Sequence, residues 1–278
     1  MEDSKNYLGG FDRHFYLNSF GVTVKVESNA EDLLQRALKE AYKALNGQLS
    51  IIENVAIEPP HSFGMAKDLE GMLYFFEDGK QMSRSRPRRP FFRYFNSMLR
   101  LRVAEFAKDR VFVHAGVVSW HGQAIILPAN SFRGKTSLVE ELIRLGAEYY
   151  SDEYAVIDEN GSIHPFSRPL SKRYSGTYLK EKDVPVERIG AVVGTEPVPA
   201  GLILVTEYSK GATLMPEILT PGQGMIELIP HTIPIRENTE FTLKVLNKVV
   251  SRAIIAKSLR GEAHESAKIL LSFFDGHL

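Results

Sequence analysis

The chain has 278 residues, of which 44% are hydrophobic, so it can bury the core of one large domain or of two smaller ones. Lys+Arg and Asp+Glu are both 34, and this net charge of zero gives no overall attraction to nucleic acid or to an anionic membrane. The absence of cysteine excludes disulfides, thiolate metal sites and cysteine nucleophiles.

Targeting signals are not predicted. The N-terminal sequence has early acidic residues and lacks the apolar segment of a signal peptide. No later segment approaches the roughly 18 uncharged apolar residues that a membrane-spanning helix needs. We therefore expect a cytoplasmic protein with neither nucleic acid nor membrane among its partners.

The first third of the chain predicts a small α+β region. Residues 15–28 alternate apolar and polar around a glycine, which predicts two strands joined by a turn. The next segment has helical spacing, with Asn29 as its expected N-cap and Gly47 at its end. Asp78-Gly79 is typical of a hairpin turn. We expect this region to span residues 1–100 and to have a substrate or regulatory role.

A basic segment closes this region. Between Lys80 and Arg102 there are eight basic residues and no acidic one, with Phe91, Phe92, Tyr94 and Phe95 interleaved. The aromatic residues suit the buried side of a helix whose arginines face water. Alternatively, the segment could bind phosphates or an acidic peptide.

The middle of the chain predicts strand, loop, helix, strand. "RVFVHAGVVSWHGQAIILPA" contains two strand-like runs that meet at a hairpin signal, His121-Gly122. Helical spacing then runs from Lys135 to Leu145 and ends at Gly146. "AEYYSDEYAVIDENGSI" predicts two short strands and a turn at Asn160-Gly161.

The C-terminal segments predict packing helices. "NTEFTLKVLNKVVSRAIIAKSLRG" has the spacing of one amphipathic helix that ends at Gly261. "ESAKILLSFFD" predicts one or two further helical turns. We assign no chemistry to either segment.

The loop between the middle strand and its helix has the spacing of a nucleotide-binding loop. One small residue and four others precede Gly134-Lys135-Thr136. The glycine lets backbone N–H groups approach phosphate oxygens, the lysine neutralises phosphate charge, and the threonine hydroxyl can ligate Mg²⁺. This pattern predicts ATP and Mg²⁺ as ligands. The expected nucleotide-binding residues are Ala129, Asn130, Ser131, Phe132, Arg133, Gly134, Lys135, Thr136 and Ser137.

Ala129 departs from the pattern, which has glycine at the first position. If this position needs positive φ, alanine costs on the order of 1 kcal/mol, which triphosphate binding can offset. If it needs extended geometry, there is no cost. Arg133 adds a second cation beside the phosphates.

The segments around the loop resemble the HPr kinase/phosphorylase family. The strand "VHAGVV", the loop "ANSFRGKT" and the strand "YYSDEYAVID" follow one another as in that family, and "FSRPLSKR" is similar to a segment of related kinases. The resemblance covers roughly residues 111–173. It implies an α/β fold with the mixed-sheet P-loop core of the HPr kinase C-terminal domain and of PEP carboxykinase, here spanning residues 101–278.

The resemblance also implies roles for three residues. Asp152 would be the base or the orienting group for an accepting hydroxyl, and Glu153 a carboxylate near Mg²⁺ beside Thr136. His114 would be a polar partner of this cluster. Arg168 and Lys172 either neutralise transition-state charge or are solvated cations of a loop.

These features predict an ATP-dependent kinase whose acceptor is a serine of a protein or precursor peptide. The family's "EIRGLG" signature has no clear match, so we expect a divergent member with another acceptor. A small-molecule kinase with the same fold and a nucleotide-binding regulator without transfer activity remain alternatives. The family also implies a possible homo-oligomer. His231, Thr232 and Arg236 form a weaker candidate group near the nucleotide or substrate.

Overall fold

A computed structural model describes residues 10–128, 134–173 and 181–278. The chain forms two compact units, Met1–Lys108 and Asp109–Leu278. The boundary that the sequence places near residue 100 falls inside a helix that runs from Arg88 to Phe106. This helix stays with the first unit because its apolar residues belong to that unit's core.

The first unit is a mixed sheet covered by helices. Its elements are β1 (Arg13–Ser19), β2 (Val22–Ser28), α1 (Glu31–Ala44), β3 (Ser50–Ile52), β4 (His61–Lys67), β5 (Leu73–Glu77), β6 (Lys80–Ser85) and α2 (Arg88–Phe106). The strand order is β3-β1-β2-β4-β5-β6, in which β2 and β4 are parallel and the other neighbours antiparallel.

The turns predicted for this unit are present in the structure, whereas the predicted N-cap of helix α1 is not. Strands join at the expected glycine turns, and both Asp78 and Gly79 have positive φ. Asn29, however, is not the N-cap of α1, because Ala30 holds that position without a side-chain cap. The Asn29 side chain instead hydrogen-bonds the backbone of Lys67, at 3.0 Å from both its N and its O. It therefore ties β2 to β4.

The basic segment folds as β6 and the amphipathic helix α2. Phe91, Phe92 and Phe95 are buried in the core of the unit, which confirms the packing interpretation for these aromatic residues. Among its arginines, Arg88 forms an ion pair with Asp32. A peptide-binding role for the segment stays a prediction.

The second unit is built on a larger sheet. Its strands are β7 (Arg110–Trp120), β8 (Gln123–Pro128), β9 (Glu148–Ser151), β10 (Tyr154–Asp158), β11 (Ser162–His164), β12 (Leu170–Arg173), β13 (Glu181–Val184), β14 (Val198–Tyr208), β15 (Glu217–Ile218) and β16 (Ile254–Arg260). Its α-helices are α3 (Lys135–Arg144), α4 (Pro221–Leu228), α5 (Thr239–Val250) and α6 (Ala263–Asp275), with 3₁₀ turns at Val186–Ile189, Ile229–His231 and Ile233–Ile235.

The strand order of this sheet is β11-β10-β7-β8-β14-β16-β15, with β9 beside β7 and a hairpin of β12 and β13 apart from it. Strands β8, β14 and β16 are parallel to one another, whereas β7 is antiparallel to β8. Helices α3 and α6 pack on one face, and α5 on the other. The carboxyl ends of the three parallel strands therefore lie at one edge, where ligands bind in open α/β sheets.

Three predictions for this unit are wrong in part. The amphipathic helix predicted up to Gly261 ends at Val250, and Ile254–Arg260 is strand β16. All seven residues of β16 pair with β14, so backbone pairing in the sheet prevails over the helical spacing of its side chains. Residues 147–163 form three strands rather than two, and the last helix, α6, has 13 residues.

The predicted fold class is confirmed in its coarser form. The described residues form a mixed α/β structure with two mixed sheets and six α-helices. The phosphate-loop core stays a prediction, because residues 129–133 lie outside the described part of the chain. No helix of the described residues is both long and apolar enough to cross a bilayer.

Candidate functional site

The candidate site lies where β8 ends and α3 begins. Pro128, the last residue of β8, pairs with Ala115 of β7, and the preceding residue of β7, His114, pairs with Tyr154 of β10. The backbone N–H of Ala115 also donates to the carbonyl of Glu153 at 3.1 Å. The topology thus brings the HA strand and the acidic pair next to the end of β8, after which the predicted loop begins.

Lys135 begins α3 and extends toward β7. Its Nζ lies 3.3 Å from Nε2 of His114. Burial lowers the pKa of Lys135, while the charges of Asp152 and Glu153 oppose this shift. Burial and the neighbouring Lys135 charge lower the pKa of His114 to about 4. The imidazole is therefore neutral at pH 7 and can accept a hydrogen bond from the ammonium group.

Thr136 and Asp152 face each other across the site. The Thr136 hydroxyl donates to Oδ2 of Asp152 at 2.8 Å. Hydroxyl and carboxylate oxygens are ligands that Mg²⁺ prefers, so this pair suits a magnesium ion bound together with phosphate oxygens. Ser137, the next residue of the predicted loop, is exposed.

Glu153 forms an ion pair with Arg168, and both side chains are largely buried. The Tyr149 hydroxyl donates a hydrogen bond to the backbone carbonyl of Arg168 at 2.7 Å and so helps to position Arg168. Arg168 is thus not a solvated loop cation. No group of three His, Asp or Glu suited to a metal ion occurs among the described residues. A metal contact of Glu153 stays a prediction, and the side chain of Lys172 lies outside the described part.

Gly134 closes the predicted loop in the left-handed conformation, with φ of 75° as the N-cap of α3. A side chain there would also overlap the guanidinium group of Arg260. Arg260 is buried at the end of β16 and donates from Nη2 to the Gly134 carbonyl at 2.8 Å. The sequence does not predict this contact, because 126 residues separate the two partners.

Gly116 is a second residue that the sequence analysis missed. It follows the HA pair on β7, and a Cβ there would lie 2.5 Å from Cγ2 of Val139 and 3.1 Å from Cγ of Lys135. Glycine therefore lets the first turns of α3 pack directly on β7. This close approach brings Lys135 within reach of His114. A glycine after His-Ala, opposite a predicted helix, was the available signal.

The third candidate group, His231, Thr232 and Arg236, lies near the site, but its three residues do not form one cluster. Thr232 forms a β-bridge with Val113, which sets its 3₁₀ turn against β7. Burial lowers the pKa of His231, and the Lys135 charge lowers it further. Arg236 has no described contact with this cluster.

The described residues fit a nucleotide phosphate with Mg²⁺. A half-buried lysine at a helix N-terminus offers positive charge, and an anion there would offset its burial. The paired hydroxyl and carboxylate offer oxygen ligands. Ala129, Asn130, Ser131, Phe132 and Arg133, the other expected loop residues, lie outside the described part of the chain.

Comparisons with known proteins give little further information. The sequence matches no protein-family model and no curated protein. Among solved structures, the HPr(Ser) kinase/phosphatase from Coxiella burnetii is similar, with 16% identity and a TM-score of 0.34 over 60% of this chain and 95% of that chain.

Proposed function

We propose that the chain is an ATP- and Mg²⁺-dependent kinase that transfers the γ-phosphoryl group to a hydroxyl, namely a serine of a protein or peptide. The observation that carries this proposal is the 2.8 Å hydrogen bond from Thr136 to Asp152, beside Lys135 and its partner His114. A threonine and a lysine of the predicted phosphate loop thus lie beside a carboxylate that could accept a proton from a hydroxyl.

Each side chain has a defined task in this proposal. Lys135 and the N-terminus of α3 hold phosphate oxygens, and Arg260 fixes the backbone of Gly134. Thr136 and Asp152 would hold Mg²⁺, which neutralises phosphate charge when bound. His114, neutral at pH 7, directs the Lys135 ammonium group without adding a competing charge.

Asp152 also acts on the acceptor. Transfer breaks the bond between the γ-phosphorus and the oxygen that bridges to the leaving diphosphate, and forms a bond from the acceptor oxygen to that phosphorus. The acceptor proton moves to the Asp152 carboxylate. The neighbouring carboxylate, Glu153, has its charge neutralised by the ion pair with Arg168. Asp152 is therefore the carboxylate that accepts the proton.

The test compares binding and transfer in two variants. Asp152→Asn should lower transfer about 10²- to 10⁴-fold with a much smaller loss of ATP affinity, because the variant loses the proton acceptor and one Mg²⁺ ligand but keeps Lys135 and Thr136. Lys135→Ala should lose ATP binding in calorimetry with Mg²⁺. Asp183→Asn, at an exposed aspartate of β13, is the matched control. Full transfer by Asp152→Asn would contradict the proposal, and ATP binding without transfer by the wild type would indicate a regulator.

The acceptor class needs its own measurement. γ-labelled ATP is incubated with the enzyme and cell extract, and the label is followed into macromolecules or small solutes. We expect protein or peptide label that Asp152→Asn abolishes. Label that stays in small solutes would indicate a kinase of a small molecule.

A further inference from the structure

A cavity of about 600 Å³ lies at the carboxyl ends of the three parallel strands. Pro128 of β8, Val205 of β14 and Lys257 of β16 all line it, and the last two are paired neighbours in the sheet. Its volume falls in the usual range for small-molecule sites. It begins at the residue that precedes the predicted phosphate loop, so a ligand in it would adjoin the loop.

Three carboxylates and one lysine line the cavity. Lys257 forms a 2.6 Å ion pair with Glu227, and Glu207 and Glu217 are the other two acids. This excess of negative charge disfavours phosphate groups inside the cavity but suits neutral hydroxyl groups, which donate hydrogen bonds to carboxylates. In the described structure, the buried Oγ1 of Thr206 has no hydrogen-bond partner and adds a polar group at the wall.

Apolar side chains form another part of the lining, beside Thr213, Ser258 and His231. Met215 is 77% exposed and Leu259 is 55% exposed, so both present apolar surface to the open side of the cavity. Val205 contributes from the sheet. A lining that combines apolar side chains with many polar ones suits a ligand that has both apolar and hydrogen-bonding parts.

The cavity and the acidic pair lie on opposite sides of β8. Asp152 and His114 are on the side of β7 and β10, whereas the cavity extends over β14 and β16. His231 lines the cavity, and its neighbour Thr232 bridges Val113 of β7, one residue before His114, so the cavity reaches the strand that carries the HA pair. A phosphoryl group held by Lys135, which contacts His114, would then be transferred between the two regions.

We propose that this cavity holds the nucleoside of the bound nucleotide, with the base against Val205, Met215 and Leu259 and the ribose hydroxyls donating to the carboxylates. The inference rests on the proposed kinase function. In phosphoryl transfer the attacking and leaving oxygens lie roughly in line, on opposite sides of the phosphorus. An acceptor beside Asp152 thus requires the nucleoside to extend the other way, into the cavity.

The experiment separates the nucleoside from the phosphates. Calorimetry with Mg²⁺ measures ATP and inorganic tripolyphosphate on the wild type, on Lys135→Ala and on the double variant Met215→Ser/Leu259→Ser. We expect the wild type to prefer ATP and the double variant to bind ATP about 10-fold more weakly with unchanged affinity for tripolyphosphate. Both replaced side chains are exposed, so we expect the double variant to fold normally. Unchanged binding of tripolyphosphate would show that it does.

Two further variants sharpen the result. Ile226→Ser removes an apolar side chain of α4 that is 70% exposed and does not line the cavity, and it should leave both affinities unchanged. Glu217→Gln removes one carboxylate from the cavity. It should weaken the binding of ATP more than it weakens the binding of an ATP analogue whose dideoxyribose lacks the hydroxyl groups. This second comparison tests the ribose contact independently of the apolar wall.

Each opposing outcome has its own meaning. A double variant that keeps the wild-type preference for ATP would overturn the nucleoside assignment while leaving the phosphate site intact. If that variant also loses transfer, the cavity holds the acceptor instead. A wild type that binds neither ligand would overturn the kinase function and, with it, this inference.

Discussion

Gly134 shows why one residue of the loop is restricted to glycine. Its φ of 75° lies in the left-handed region, which costs other residues about 1 to 2 kcal/mol, and a Cβ would displace the buried guanidinium of Arg260. We expect Gly134→Ala to lower the free energy of unfolding by at least that amount and to weaken ATP binding. Urea unfolding and calorimetry measure the two effects.

The matched control is Gly222→Ala in α4. Gly222 has ordinary φ and open space around its Cα, so alanine should be neutral or stabilise the helix by up to about 1 kcal/mol. Equal destabilisation by the two substitutions would contradict the conformational explanation for Gly134.

His114 makes stability depend on pH. Its pKa is about 4 in the folded chain and 6.5 ordinarily, so between these values the unfolded chain binds a proton that the folded chain rejects. Stability should therefore rise with pH over this window, with a difference of roughly 3 kcal/mol between its ends. Urea unfolding from pH 4 to 7 measures it. His114→Gln should flatten the profile, and parallel profiles for the two proteins would refute the assignment.

At the scale of elements, the site depends on β16 as much as on the loop. Arg260 reaches Gly134 only because residues 254–260 form a strand parallel to β14, with its carboxyl end at the edge of the site. As part of a continuous helix after Val250, the same residues would not lie along β14. The element that the sequence pattern misidentified is thus one that holds the predicted loop.

Replacing Arg260 by methionine tests this contact. The variant loses a buried hydrogen bond from a charged group, a loss of about 1.5 to 3 kcal/mol, and should weaken ATP binding through the Gly134 backbone. Arg252→Met is the control, because Arg252 makes a similar 3.1 Å bond to the carbonyl of Asn160 at an exposed position. Urea unfolding and the Kd for ATP should change little in the control. Unaltered ATP affinity in Arg260→Met would mean that the loop does not need this support.

At the scale of the whole molecule, each unit has its own hydrophobic core. The helices and sheet of the first unit enclose one cluster of buried residues, and the large sheet of the second is covered on both faces by others. All described residues assigned to phosphate, metal or nucleoside belong to the second unit. A substrate or regulatory role for the first unit stays a prediction.

A fragment of residues 109–278 tests this division of labour. We expect it to unfold cooperatively and to bind ATP with Mg²⁺ as the full chain does, because its core and candidate site are its own. Phosphorylation of a protein acceptor should fall if the first unit contributes to recognition. A fragment that aggregates or fails to bind ATP would show that the second unit needs the first, and the full chain is the reference throughout.

Local sequence patterns determined many of the turns and strands of this protein. Glycine turns such as Asp78-Gly79, the apolar alternation of β1 and β2, and the order of strand, loop and helix around Lys135 follow from backbone preferences of neighbouring residues, which the sequence displays directly. The family resemblance, and not a local pattern, implied that His114 and Asp152 lie together beside the loop, and in the structure they contact Lys135 and Thr136.

Only the tertiary structure decided the long-range contacts. The spacing of residues 254–260 suits a helix, and pairing with β14 makes them a strand. Arg260, Gly116 and the cavity lining become neighbours of the loop through sheet order, which no local pattern encodes. Propensity and periodicity act within a few residues, whereas a site at the edge of a sheet is assembled from strands whose sequence separation exceeds 100 residues.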